Sequence, residues 1–248
     1  MTGDDVRRGA ASPDSPAVLA EAAPIARGEL LSEQASDLIR NSIVSGAILP
    51  GTRFSAAAMA RQLGVSVTPV RDALTHLREA GLVDFSGGVY TIVAATEQAL
   101  RDAFALREAL DGMCARLACE NRTPEEAEHL EQLARRSMAM AGERDLGSFR
   151  QVDAEFHHAV ARYARSPNLT RYLRNAYDLA LTLRNLKTAR TEVALQSAHL
   201  HLAVASAIAR GDADEAERLA RDHVRSVLTN VLAPGRGAGT EASEEGGE

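Results

Sequence analysis

The chain has 248 residues, 45% hydrophobic and 25% charged, an ordinary globular composition with length for one large or two modest domains. A formal charge of -6 excludes a uniformly basic coat for nucleic acid. Two cysteines, Cys114 and Cys119, are too few for a disulfide framework and wrongly spaced for a zinc knuckle. They fit a reducing compartment, and the expected location is cytoplasmic. The opening MTGDDVRRGAASPDSP lacks the apolar stretch of a signal peptide, and no apolar run approaches the roughly 20 residues of a membrane span. Every basic residue but Lys187 is arginine. Arginine suits phosphate and carboxylate recognition, but an Arg- and Ala-rich chain equally reflects genomic codon bias.

Residues 1–28 and 234–248 are rich in small, polar and charged residues without periodicity, and read as disordered tails. Between them the pattern changes once, dividing the chain at about 95 into 29–95 and 96–233. In the first part, Ala35, Leu38, Ile39, Ser42 and Ile43 follow helical spacing, and Gly46 stops the run. Leu49-Pro50-Gly51 reads as a turn. A short helix over 55–63 turns Ala56, Met59, Ala60 and Leu63 inward and breaks at Gly64. The next helix starts at Ser66 or Thr68, because Pro69 fits only a first turn. Its apolar stripe is Val70, Ala73, Leu74 and Leu77, and Gly81 ends it. Two β-prone runs, 82–85 and 89–93, flank the turn Ser86-Gly87-Gly88. This is the outline of a winged helix-turn-helix.

The second part predicts six helices, at about 97–120, 124–142, 147–164, 168–190, 193–210 and 213–232. Thr123-Pro124-Glu125-Glu126 combines an N-cap, a first-turn proline and a capping-box glutamate. Ser166-Pro167-Asn168 and Gly211-Asp212 are breaks. The expected architecture is mainly α, a winged helix-turn-helix followed by an antiparallel six-helix bundle.

Opposite the apolar stripe, the third helix carries Thr68, Arg71, Thr75 and Arg78. A recognition helix needs base-edge and phosphate donors on its exposed side, with its N-terminal residues deepest in the major groove. From Arg53 to Arg78 there are four arginines and one acid, Asp72, so the segment is locally basic. A small helical subdomain with a solvated polar face would look alike.

Further residues carry a resemblance: Leu49-Pro50-Gly51-Thr52-Arg53, then Met59 to Leu74 (MARQLGVSVTPVRDAL), then Leu77-Arg78-Glu79-Ala80-Gly81-Leu82-Val83. Over about residues 30–93 the chain resembles the GntR superfamily of bacterial transcription regulators. The resemblance implies DNA contacts from Ala57, Ser66, Val67, Thr68 and Arg71 and from the wing tip Ser86, Gly87 and Gly88, with Arg53, Arg71 and Arg78 able to reach phosphates. Two departures matter. Relatives usually have arginine at position 67, where valine cannot make a bidentate guanine contact worth about 1–3 kcal/mol of discrimination. Arginine is also common where Ala57 stands. The expected operator therefore departs from the family's guanine preference.

In the bundle, polar residues interrupt the apolar stripes. Phe149, Val152, Phe156, Val160 and Tyr163 line one face of 147–164, and Asp153 and His157 fall among them, four residues apart. His201 aligns with Ala194, Ala198, Ala205 and Ile208; His223 aligns with Ala216, Ala220 and Val227. His201 lies ten residues before Gly211 and His223 eleven after Asp212, so an antiparallel hairpin sets both at one height. Asp153, His157, His201 and His223 can thus converge as ligands for zinc, nickel or manganese, with positions left open for a small ligand. The alternative is four separately hydrogen-bonded core residues. His158 and His199 point elsewhere on their helices, and His76 and His129 have no partner pattern.

The run Asp153-Ala154-Glu155-Phe156-His157, with Ser166-Pro167-Asn168, His201, Ala207 to Asp212 and His223, is similar to the FCD ligand-binding domain of FadR-type GntR regulators, over about 97–232. The resemblance implies that the Asp and three His hold a metal ion. Six helices point to the VanR-like group, and the ligand set disfavours acyl-CoA as effector. Arg107 sits on the stripe of Ala103, Leu110 and Cys114, where a charge needs a partner. An i,i+4 ion pair with Asp111 is one reading. The resemblance favours a carboxylate clamp for an organic acid, with Arg184 and Asn185 as weaker pocket residues. The expected protein is a dimeric repressor that binds a palindromic operator and a small acid. A metal-dependent enzyme and a metal sensor are the alternatives.

Overall fold

The computed structural model describes residues 31–184 and 191–233. The expected tails, Asn185 and the end of the fourth bundle helix lie outside them. Helices α1 (Leu31–Val44), α2 (Ala56–Leu63) and α3 (Val67–Glu79) enclose one core with strands β1 (Arg53–Phe54), β2 (Val83–Ser86) and β3 (Val89–Ile92). That core is Ile39, Ile43, Phe54, Met59, Leu63, Leu74, Leu77 and Leu82, all essentially solvent-free.

Local chemistry sets the boundaries. The Ser55 side chain accepts from the Ala58 amide, and Gly64 closes α2 in the left-handed region at φ 66°. Ser66 caps α3 without using its hydroxyl, which leaves that group free at the helix N-terminus. The wing turn is tighter than the sequence indicated. Ser86 pairs with Val89, so only Gly87 and Gly88 turn the chain, with φ of 58° and 82°. Strand β1 was not expected. It joins antiparallel to β3, giving the order β1-β3-β2, and its two residues are too short for any alternation to register.

The second unit is α4 (Glu97–Asn121), α5 (Pro124–Gly142), α6 (Leu146–Tyr163), α7 (Pro167–Arg184), α8 (Thr191–Arg210) and α9 (Ala213–Leu232). The capping box at Thr123 and Glu126 forms as expected. Helix α4 packs against α9, α7 and α6, and α5 against α8. Alanines at 115, 118, 159, 161, 205, 207 and 216 lie in this core and let the helices approach closely. Cys114 and Cys119 are buried free thiols, and burial pushes Cys114 up to about 12. Among the described residues, no helix is long and apolar enough to cross a membrane.

The two units meet along α7. Arg40 of α1 donates to Asp178 at 2.7 Å and to Asn175 at 3.1 Å. Leu179 packs against both the winged core and the cluster of Leu100, Phe104 and Val224.

Candidate metal centre and nucleic-acid interface

Asp153, His157, His201 and His223 are brought together from three helices. Each offers one ligand atom, and these atoms lie within 4.8 Å of one another, all buried. The equal-height reading of α8 and α9 fits the 4.7 Å between the His201 and His223 rings. Phe156 stacks on His201 at 4.5 Å and walls the group off.

The donor set fits a borderline divalent cation. Burial pushes His201 down to about 3 and His223 well below its ordinary value, so both imidazoles stay neutral with lone pairs available. Burial works against the Asp153 charge, yet the His157 imidazole when charged and the Arg184 guanidinium hold its carboxyl below the ordinary range. His201 Nε2 and His223 Nδ1 are buried without a hydrogen-bond partner among the described residues. Unsatisfied buried nitrogens are costly, and a cation would satisfy them. A cavity beside them, walled by Phe156, Val160, Val204 and Ala220, has room for about one water-sized body.

Partners around this group were not legible in the sequence. His157 Nδ1 lies 2.6 Å from Asp111 Oδ1, and His201 Nδ1 lies 3.1 Å from Ser137 Oγ. The Tyr177 hydroxyl donates to Asp153 in a short bond. Burial, and then the Asp153 charge, holds that phenol well above its ordinary pKa, so it remains a donor.

Arg107 is 1% exposed and carries the ion pair that was the alternative reading, with Nε donating to Asp111 Oδ2 at 3.1 Å. Its guanidinium lies 4.6 Å from the Tyr177 ring centre. Arg184 closes α7, half-buried, near enough to Asp153 to lower its pKa. His158 faces Tyr177, and burial pushes it down to about 4. His199 is exposed and bonds the Leu195 carbonyl. His129 corrects an expectation: its Nδ1 lies 2.8 Å from the Tyr163 hydroxyl, across 34 residues of sequence.

On the winged unit, Arg53, Ala57, Ser66, Thr68, Arg71, Thr75, Arg78 and the tip Ser86, Gly87 and Gly88 are all exposed. Val67 is half-buried and packs on the core. The Thr75 hydroxyl donates to the Arg71 carbonyl at 3.0 Å, leaving its oxygen to accept. Phe85 stays 45% exposed beside Tyr90 at the wing, an aromatic that no motif in the sequence marks.

Residues 31–93 match the bacterial regulatory proteins of the gntR family, and residues 102–226 match the FCD domain. The chain is 30% identical to the probable D-xylose utilization operon transcriptional repressor of Paenarthrobacter nicotinovorans, over 80% of this chain and 87% of that protein. It is 26% identical to the HTH-type transcriptional repressor RspR of Escherichia coli, over 81% and 89% of the two chains. The fold is that of E. coli McbR/YncC, with TM-score 0.71 at 19% identity over 82% of this chain and 98% of that one. The enzyme alternative is thereby overturned: the family and these relatives are transcriptional regulators. The chain belongs to the GntR family of bacterial transcription regulators, among the members that carry an FCD domain.

Proposed function

We propose that this regulator is a ligand-responsive repressor that binds a palindromic operator as a homodimer, with a divalent ion and a small organic acid in the bundle. The observation that carries the reading is the buried convergence of one carboxylate and three imidazoles beside Arg107. Asp153, His157, His201 and His223 would hold zinc, nickel or manganese, which supplies open positions for a carboxylate. Arg107, and Arg184 at the end of α7, would clamp the acid's charge. On the winged unit, Arg71, Thr68 and Ser66 would meet the major groove, and Gly87 and Gly88 the flanking backbone.

Two features support the assembly and the coupling. Leu106 and Met113, 49% and 37% exposed, lie seven residues apart on one face of α4 and offer a self-complementary apolar stripe for a two-fold interface. Helix α7 presents Tyr177 to Asp153 and, on the next residue, Asp178 to Arg40 of the winged unit. A ligand that binds one helix arrangement better than another would shift the spacing of the two winged units through this helix.

The small cavity favours a second reading, a metal sensor, because an ion alone fills it as it stands. Thermal shift separates the two. With zinc present, a small carboxylate at 100 times its dissociation constant is expected to add about 2.7 kcal/mol, and none without zinc. Stabilisation by zinc that no carboxylate augments would favour the sensor.

A further inference from the structure

We infer that Asp111 is a positioning residue shared by both halves of this site, holding His157 for the ion and Arg107 for the acid. The inference rests on the metal-assisted reading above. Asp111 is 4% exposed and lines the cavity without belonging to the four-residue group. Its two oxygens do different work: Oδ1 takes the His157 Nδ1 hydrogen at 2.6 Å, and Oδ2 takes the Arg107 Nε hydrogen at 3.1 Å.

An ionised carboxylate only accepts, so the imidazole hydrogen must sit on Nδ1. The lone pair is then on Nε2, which lies 3.2 Å from His223 Nε2 and faces the ligand group. A carboxylate behind a ligating histidine fixes its tautomer and orientation and makes it a better donor. Its counterpart at His201 is only the neutral Ser137 hydroxyl. Among the described residues, Asp111 is therefore the strongest orienting group in the shell.

The same contact directs Arg107. With Nε engaged, and the ring faces of Phe104 and Tyr177 at 5.8 and 4.6 Å, the guanidinium has little freedom. Its terminal nitrogens remain: Nη2 lies 3.3 Å from His157 Nε2, whose single lone pair goes to the ion when one binds and so leaves Nη2 for the acid. An acid must approach this terminal edge, next to the ligand atoms. Asp111 thus places the acid's carboxylate beside the ion.

The test is zinc affinity, measured by competition with a chromophoric chelator. Removing Asp111 alone would strand Arg107, so the two go together. Arg107→Met/Asp111→Ala is expected to bind zinc about 10–100-fold more weakly than the wild type. Arg107→Met/Asp111→Asn, whose amide oxygen can still accept from Nδ1, is expected to recover most of the loss. A helical Arg107→Met/Asp111→Ala protein that binds zinc within twofold of the wild type overturns the inference, as does failure of asparagine to rescue. Imidazole 15N spectra of the zinc-free wild type decide independently of any variant's folding: hydrogen on His157 Nδ1 is expected, and hydrogen on Nε2 overturns the assignment. If the wild type takes up no zinc, the metal reading falls and this inference with it. If it takes up zinc and Arg107→Met/Asp111→Ala matches it, only the inference falls.

Discussion

Arg107→Ala is expected to destabilise the protein by about 3–5 kcal/mol, the cost of breaking a fully buried ion pair from one side. The arginine is 1% exposed, and its removal leaves Asp111 as a buried anion with the His157 imidazole as its remaining partner. The variant also empties the space between the Phe104 and Tyr177 rings. A loss of this size lowers the midpoint of thermal unfolding by about 10 °C in a chain of this length. Arg107→Met/Asp111→Ala removes both charges together and should lie much closer to the wild type, because replacing a buried pair with apolar groups is often near neutral. Calorimetry or circular dichroism reads the difference. If Arg107→Ala unfolds with the wild type, the pair is not sequestered as the distances indicate.

His201→Ala has the largest expected effect on metal binding. A structural zinc is worth about 10–16 kcal/mol, so each of four donors carries about 3 kcal/mol, or roughly two decades of affinity. His201 is fully buried and stacked on Phe156, so no water-exposed side chain can substitute for it. The variant should retain no zinc through a chelator wash that leaves the wild type loaded. It should also lose the response to the acid while still binding operator, because the winged unit has its own core and meets the bundle through Arg40 and α7. His223→Ala should behave alike. Metal analysis together with operator titration reads both effects. Loaded wild type, with both variants responding normally to the acid, would make the ion a structural staple and place sensing elsewhere.

Local patterns make most of the architecture legible in the sequence. The cap at Thr123 and the breaks at Gly64 and Gly211 are written in residues next to the elements they bound; the caps at Ser55 and Asp212 emerged only with the helices themselves. Asp153 and His157 stood out because each interrupts an apolar stripe, and the hairpin geometry of α8 and α9 set His201 and His223 level. What was missed depends on contacts between distant segments. Asp111 read as no more than the i,i+4 partner of Arg107, since its bond to His157 spans 46 residues. Tyr177 and Ser137 look like ordinary stripe residues until their helices pack. Arg40 and Asp178 lie in different units, 138 residues apart, and only the assembled chain joins them. Strand β1 needs β3 beside it to exist at all.

Selection of binding sites from random duplex DNA, followed by titration of the winning sequence with and without zinc and a small carboxylate, tests the central claim most directly. A palindromic consensus, two chains per site, and an affinity that changes only when zinc and acid are both present are the expected results. Arg71→Ala should weaken binding across sequences, since phosphate contacts are insensitive to sequence. Val67→Arg should shift the consensus toward guanine at one position in each half-site. Enrichment of no palindrome, or an operator affinity indifferent to every combination of zinc and acid, would contradict the central claim.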